Sequence, residues 1–182
     1  MNQTYIFFAD GLEEIEGLTV VDMLRRAGIP VTIVSISDTL EVIGSHQIRI
    51  TADVLFKDTD FSDGAMFILP GGLPGTTNLA VHEPLCHLLT DAASSGKYVA
   101  AICAAPSVLG GLGLLKGKKA TCYPGFEDKL VGASVCSDSA VVDGNIITSR
   151  GMGTAIDFSG ELIAVLSDRE TSDRIKASIM YH

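Results

Sequence analysis

Apolar residues in this chain fall into short blocks, and between the blocks they recur every three or four positions, an alternation that predicts strands separated by helices. The block 6–8 is followed by residues 9–28, in which Glu16 lines up with Val20, Met23 or Leu24, and Ala27; Gly28 supplies the stop, and Arg25 and Arg26 suit a last turn. Residues 30–36 read as a second strand, the mixed pieces around 40–50 as a small β excursion, and 65–69 as a compact buried strand. Helices are predicted over 76–80 and 83–94, then a strand over 99–102 that passes directly into a helix over 104–111. Beyond it, 118–122 reads as a short strand. Segments 133–136, 140–142 and 145–148 read as hairpin-like strands around Asp143-Gly144, before helices over 154–166 and 169–179. Strand and helix alternate throughout, with no repeat and no linker, so residues 1–182 are expected to form one α/β domain.

The 99–111 stretch places a thiol at a strand-to-helix corner. Cys103 follows the buried run ending at Ile102, and Pro106 sits inside the first turn, where its missing N–H is tolerated. A sulfur at such a nucleophile elbow lies beside free backbone amides and the positive end of a helix, which favour thiolate over thiol. Glu16 lies on or beside the inward face of its helix, and a carboxyl in low dielectric tends to keep its proton and can donate a hydrogen bond to a thiolate or sulfinate. Gly71 and Gly72, after the 65–69 strand, let backbone approach a ligand closely, as an oxyanion hole requires. All three segments follow strands, and in an open parallel sheet ligands bind outside the carboxyl ends of strands. One shared cleft is therefore expected.

Composition narrows the possibilities. Nearly half the chain is apolar, enough for a sizeable core, and the formal charge of −9 argues against a surface for nucleic acid. No stretch has the pattern of a signal peptide or a membrane span, so a cytoplasmic protein without membrane contact is expected. The four cysteines show no metal-site or redox-pair spacing, and His82, Cys86 and His87 read as a solvated helix face, so neither metal nor cofactor is expected. The first loop presents Asp10, Glu13 and Glu14, which would repel a phosphate and weaken the alternative of a flavodoxin-like binding module without chemistry.

The segments Gly11-Leu12-Glu13-Glu14-Ile15-Glu16, Leu69-Pro70-Gly71-Gly72 and Ala100-Ala101-Ile102-Cys103-Ala104-Ala105-Pro106 together resemble the ThiJ/PfpI superfamily, closest to its DJ-one branch, and the likeness covers nearly the whole chain. That resemblance implies a flavodoxin-like three-layer sandwich, a mostly parallel sheet with helices on both faces, and a homodimer. It implies Cys103 as nucleophile, Glu16 as partner carboxyl, and Gly72 and Ala104 as amide donors. It further implies an oxidative-stress sensor or chaperone with glyoxalase or deglycase activity on small aldehydes or glycated adducts. A thiamine-related activity, suggested by the superfamily name, has no supporting phosphate-binding motif.

Two positions depart from the pattern. Tyr123 precedes Pro124 where some members carry histidine, and a phenol is a poor base near neutral pH. Met152 stands where relatives often have proline. Redox sensing through Cys103 and Glu16 needs no imidazole and is the favoured expectation, with weak hydrolase activity beside it. Gly71, Tyr123, Arg26 and His46 are the further pocket-lining candidates. A cysteine peptidase is the alternative, and it requires a base such as His46 to reach the thiol.

Overall fold

The structure, a computed structural model, describes residues 3–181. Strand β1 (Gln3–Phe8) shows how the layers arise. Successive side chains point to opposite faces of a strand, so Ile6 and Phe8 enter one hydrophobic core while Tyr5 and Phe7 enter another. The first core is closed by α1 (Glu14–Arg26), α5 (Ala155–Leu166) and α6 (Arg169–Ser178). The second is closed by α2 (Gly75–Val81), α3 (Glu83–Ser94) and α4 (Pro106–Gly111). Phe7, Phe8, Phe67 and Phe158 are fully buried, and truncating any of them would cost about 3–5 kcal/mol. The expected sandwich, with helices on both faces of the sheet, is therefore the fold observed.

The remaining strands are β2 (Val31–Ser35), β3 (Glu41–Ile43), β4 (Arg49–Thr51), β5 (Val54–Leu55), β6 (Gly64–Leu69), β7 (Tyr98–Ile102), β8 (Lys119–Ala120), β9 (Ser134–Val135), β10 (Ala140–Asp143) and β11 (Ile146–Ser149). Seven form the main sheet in the order β10-β11-β7-β6-β1-β2-β5, parallel except for the β10–β11 hairpin at one edge. The chain leaves β1 toward β2 and later returns to the other side of β1 to lay down β6. The strand order thus switches between β1 and β6, where an α/β sheet opens a crevice at its carboxyl edge. Among the described residues no helix is long and apolar enough to cross a membrane.

Two local expectations are corrected. The 133–136 segment does not join the hairpin; it contributes β9, which pairs in parallel with β8 in a separate two-stranded sheet. Only β10 and β11 flank the Asp143-Gly144 turn, where Gly144 takes a φ of 62°. The helix after the cysteine begins at Pro106 rather than 104. Cys103 has a φ of 66°, in the left-handed region that an L-residue avoids, so residues 103–105 form a turn before right-handed helix can start.

Candidate active site

Three loops meet at the switch point. After β1, the 9–13 loop leads into α1, whose first turn carries Glu16 with only 1% of its surface exposed. After β6, the Gly71 amide donates to Glu16 Oε2 at 2.9 Å, and the Met152 amide, beyond β11, donates to the same carboxyl. After β7 comes Cys103, half-buried, its amide bonded to the Ser149 carbonyl at 3.0 Å. Its thiol is hydrogen-bonded to the Glu16 side chain and receives the amides of Gly72 and Ala104. Gly71 has to be glycine for space: a Cβ there would lie 2.5 Å from Cys103 Cβ, 2.6 Å from Glu16 Oε2 and 3.0 Å from Cys103 Sγ. Gly72 is glycine for two reasons, a φ of 89° and the Glu13 nitrogen 2.2 Å from any added Cβ.

Burial raises the Glu16 carboxyl to about 7, against opposing hydrogen bonds from Cys103 and the Gly71 amide. Burial also pushes the Cys103 thiol up to about 12, with the charge of Glu16 as second cause, while the Gly72 and Ala104 amides pull the other way and lose. Here the expectation of a thiolate held by the elbow alone needs correction. The helix behind it has only six residues and starts two positions late, so its dipole is a small counterweight to desolvation. The two groups share one proton and one negative charge. When the proton rests on Glu16 it is donated to a sulfur anion, and when it rests on sulfur Glu16 is the base that can remove it.

Tyr123 flanks the site: its amide donates to the Cys103 carbonyl at 2.8 Å, and its ring lies 3.2 Å from a Cβ placed on Gly151. Tyr123, Arg150 and the loop 151–154 line an open cavity of about 350 Å³ beside Glu16. A larger cavity of about 710 Å³ opens at the far end of the strands, among Gly28, Gly64, Gly96 and Lys97, and holds no cysteine. Arg26 is not in the cleft. It lies in the last turn of α1, at the opposite end of that helix from Glu16, exposed and bonded to Asp22 at 2.5 Å.

His46 does not reach the thiol either. Its ring Nδ1 is 2.9 Å from Glu14 Oε2 and 3.6 Å from Glu13 Oε2, while its amide donates to Glu14 Oε1 at 2.8 Å. Of the other histidines, His82 caps α3 by accepting the Leu85 amide, His87 is exposed on that helix, and His182 lies outside the described residues. The base that a cysteine peptidase needs beside its thiol is therefore not supplied by His46, His82 or His87.

Glu14, expected to be presented by the first loop beside Asp10 and Glu13, is almost wholly buried and tethers the β3–β4 hairpin to the start of α1. Its carboxylate is sheltered by a hairpin remote in sequence, a contact that helical periodicity does not encode. Glu13, Glu14 and His46 place one ligand atom each within 4.8 Å of one another, but the Glu14 oxygens are already taken by His46, so the group acts as an ion pair.

That pair sets a pH dependence. The Glu14 hydrogen bond raises His46 above its ordinary 6.5, so its contribution to stability is present at lower pH and is lost as pH rises through the raised value. Burial opposes ionisation of Glu14, but hydrogen bonds from the His46 ring and from backbone amides bring it below 4.5, so its contribution is lost as pH falls through the lowered value. Thermal melts of His46→Ala should show the largest loss near pH 5–6, shrinking toward alkaline pH. A loss independent of pH would mean that the ring packs rather than pairs.

A model described as the DJ-1/PfpI family matches residues 2–165. Protein DJ-1 homolog B of Arabidopsis thaliana is 39% identical over 92% of this chain, although the chain spans only 39% of that protein's length, and 45% of that of homolog A. Glutathione-independent glyoxalase DJR-1.2 of Caenorhabditis elegans is 33% identical, with 90% of this chain and 87% of that protein covered. The solved structure of oxidized Toxoplasma gondii DJ-1 superposes with a TM-score of 0.95 at 35% identity, covering 100% of this chain and 99% of that one.

Proposed function

The chain belongs to the DJ-1/PfpI family, and from that premise we propose that it is a cysteine-dependent, glyoxalase-type enzyme whose reactive sulfur is also a site of peroxide oxidation. One observation carries the reading: Glu16, 1% exposed and held by the Gly71 amide at 2.9 Å, sits against Cys103 in a buried cleft, where burial pushes its carboxyl up to about 7. A general base works best with a pKa near the operating pH, and Glu16 is the group beside the sulfur that meets this condition.

The reaction needs no outside oxidant. Glu16 takes the thiol proton, Sγ bonds to the aldehyde carbon of an α-oxo aldehyde, and the carbonyl oxygen picks up a proton to give a hemithioacetal. Glu16 then moves the proton from that carbon to its neighbour. The first carbon is oxidised to a thioester as the second is reduced to an alcohol, and water releases the 2-hydroxy acid and the free thiol. The Gly72 and Ala104 amides, already directed at the sulfur, suit the developing charge.

The same donors favour a second reading. A thiolate attacking peroxide displaces water to give sulfenate, and a second peroxide gives sulfinate, which Glu16 and the two amides would hold. A chaperone or sensing role would follow from that oxidation. Deglycation of thiol or amine adducts would use the same addition step.

The relevant assay follows lactate from methylglyoxal in wild type and Cys103→Ser, with mass spectrometry of the peroxide-treated protein. Cysteine-dependent lactate supports the enzyme. Sulfinate at Cys103 without lactate leaves the redox role alone, and turnover that survives in Cys103→Ser sinks both. A homodimer belongs to the same proposal: Ile15 and Leu18 on α1 and Ile48 beside β4 are apolar and exposed, and sedimentation equilibrium would detect the pairing. Its four free cysteines suit the reducing cytoplasm.

A further inference from the structure

Arg150 is the cation that the mechanism leaves without a task. It follows β11 directly, lines the cavity with Tyr123 and Met152, and immediately precedes the loop whose Met152 amide holds Glu16. Arg25, Arg26, Arg49 and Arg169 each pair with a carboxylate. Arg150 and Arg174 form no such pair among the described residues, and of the two only Arg150 lines this cavity; its one hydrogen bond is to the Ser137 carbonyl, at 3.4 Å. It is half-buried, so part of its hydration is already lost, and its planar fork suits a carboxylate better than a lone carbonyl. In a chain of charge −9, an unpaired guanidinium at the wall of an open cavity is a local exception.

We infer that Arg150 recognises the far end of the substrate, selecting α-oxo aldehydes that carry a carboxylate distal to the reacting carbonyl. The inference rests on the glyoxalase reading for its chemistry but not for its anion site. The cavity, about 350 Å³, has room for such a chain beyond the two carbons that react. Tyr123 and Met152 form further walls, and a Cβ placed on Gly151, which also lines the cavity, would lie 3.8 Å from Glu16 Oε1, so the aldehyde end is assigned to that side. Water is the only co-reactant, as for methylglyoxal.

Two measurements separate the anion site from the enzyme. The first compares alkylation of Cys103 by iodoacetate and by iodoacetamide, which are nearly isosteric and differ in charge. Arg150→Gln should lower the iodoacetate-to-iodoacetamide rate ratio about fivefold at low salt, Arg150→Lys should retain most of it, and salt should erode it. Arg26→Gln removes the same formal charge from the surface and should leave the ratio alone. An unchanged ratio in Arg150→Gln, or an equal fall in Arg26→Gln, overturns the proposal. The second measurement compares kcat/KM for 4,5-dioxopentanoate and methylglyoxal, the anionic aldehyde being preferred in wild type and not in Arg150→Gln. If neither aldehyde turns over while the alkylation ratio still depends on Arg150, the glyoxalase reading fails and the anion site stands. Turnover of both with a flat ratio has the opposite meaning.

Discussion

Glu16→Gln is expected to stabilise the folded chain by about 3 kcal/mol at pH 8 and to slow cysteine-dependent turnover by about 10²- to 10³-fold. The stability arises from linkage. The carboxyl is raised from 4.5 to about 7 on folding, chiefly by burial, so the folded state binds its proton more tightly than the unfolded state does. Wild type therefore loses stability as pH rises from the unfolded value through the folded one, and the neutral amide does not. Below about pH 4.5 the two proteins should be alike. Glutamine keeps an acceptor for the Gly71 amide and a donor for sulfur, so the fold is retained while the mobile proton is removed. Urea titrations between pH 4 and 8.5, paired with lactate assays, would check both halves; parallel stability curves would place the ionised carboxyl in water and remove its claim to be the base.

Gly71→Ala should silence the site as completely as removing the sulfur, although it changes neither reactive residue. Its φ is not positive, so the backbone would accept alanine; the obstacle is the methyl itself, crowded by Cys103 Cβ, Glu16 Oε2 and Cys103 Sγ. Either the carboxyl swings away or the elbow shifts, and each breaks the hydrogen bond through which the proton moves. Overpacking of this kind costs about 1–3 kcal/mol, so the variant should still fold while losing lactate production and rapid alkylation of Cys103. Retention of most of the activity would show that the two groups need not touch.

Local periodicity carries most of the fold. The alternation along β1, the stop at Gly28 and the hairpin around Asp143-Gly144 are short-range signals, and each matches an element. The parallel pairing of β8 with β9 is different, because two-residue strands brought together across a loop leave no period to read. The site divides along the same line. Glu16, Gly71, Gly72, Cys103 and Ala104 were legible because each follows an apolar strand closely, and parallel strands deliver their ends to one edge. Glu14 and His46 were misplaced since their partners are each other, 32 positions apart. The Met152 amide and the unpaired state of Arg150 had no sequence signal, being properties of a loop's path and of what fails to lie nearby.

The left-handed backbone at Cys103 bears on how this protein trades stability for reactivity. Glycine would occupy that conformation without the steric cost, roughly 1–2 kcal/mol, that any Cβ brings. A domain whose net stability is about 5–15 kcal/mol thus gives up a measurable fraction of it at one position to present a side chain there. Thermostability screens run without an activity filter would therefore drift toward glycine at the elbow, and the most robust variants recovered would be the ones that had discarded the sulfur.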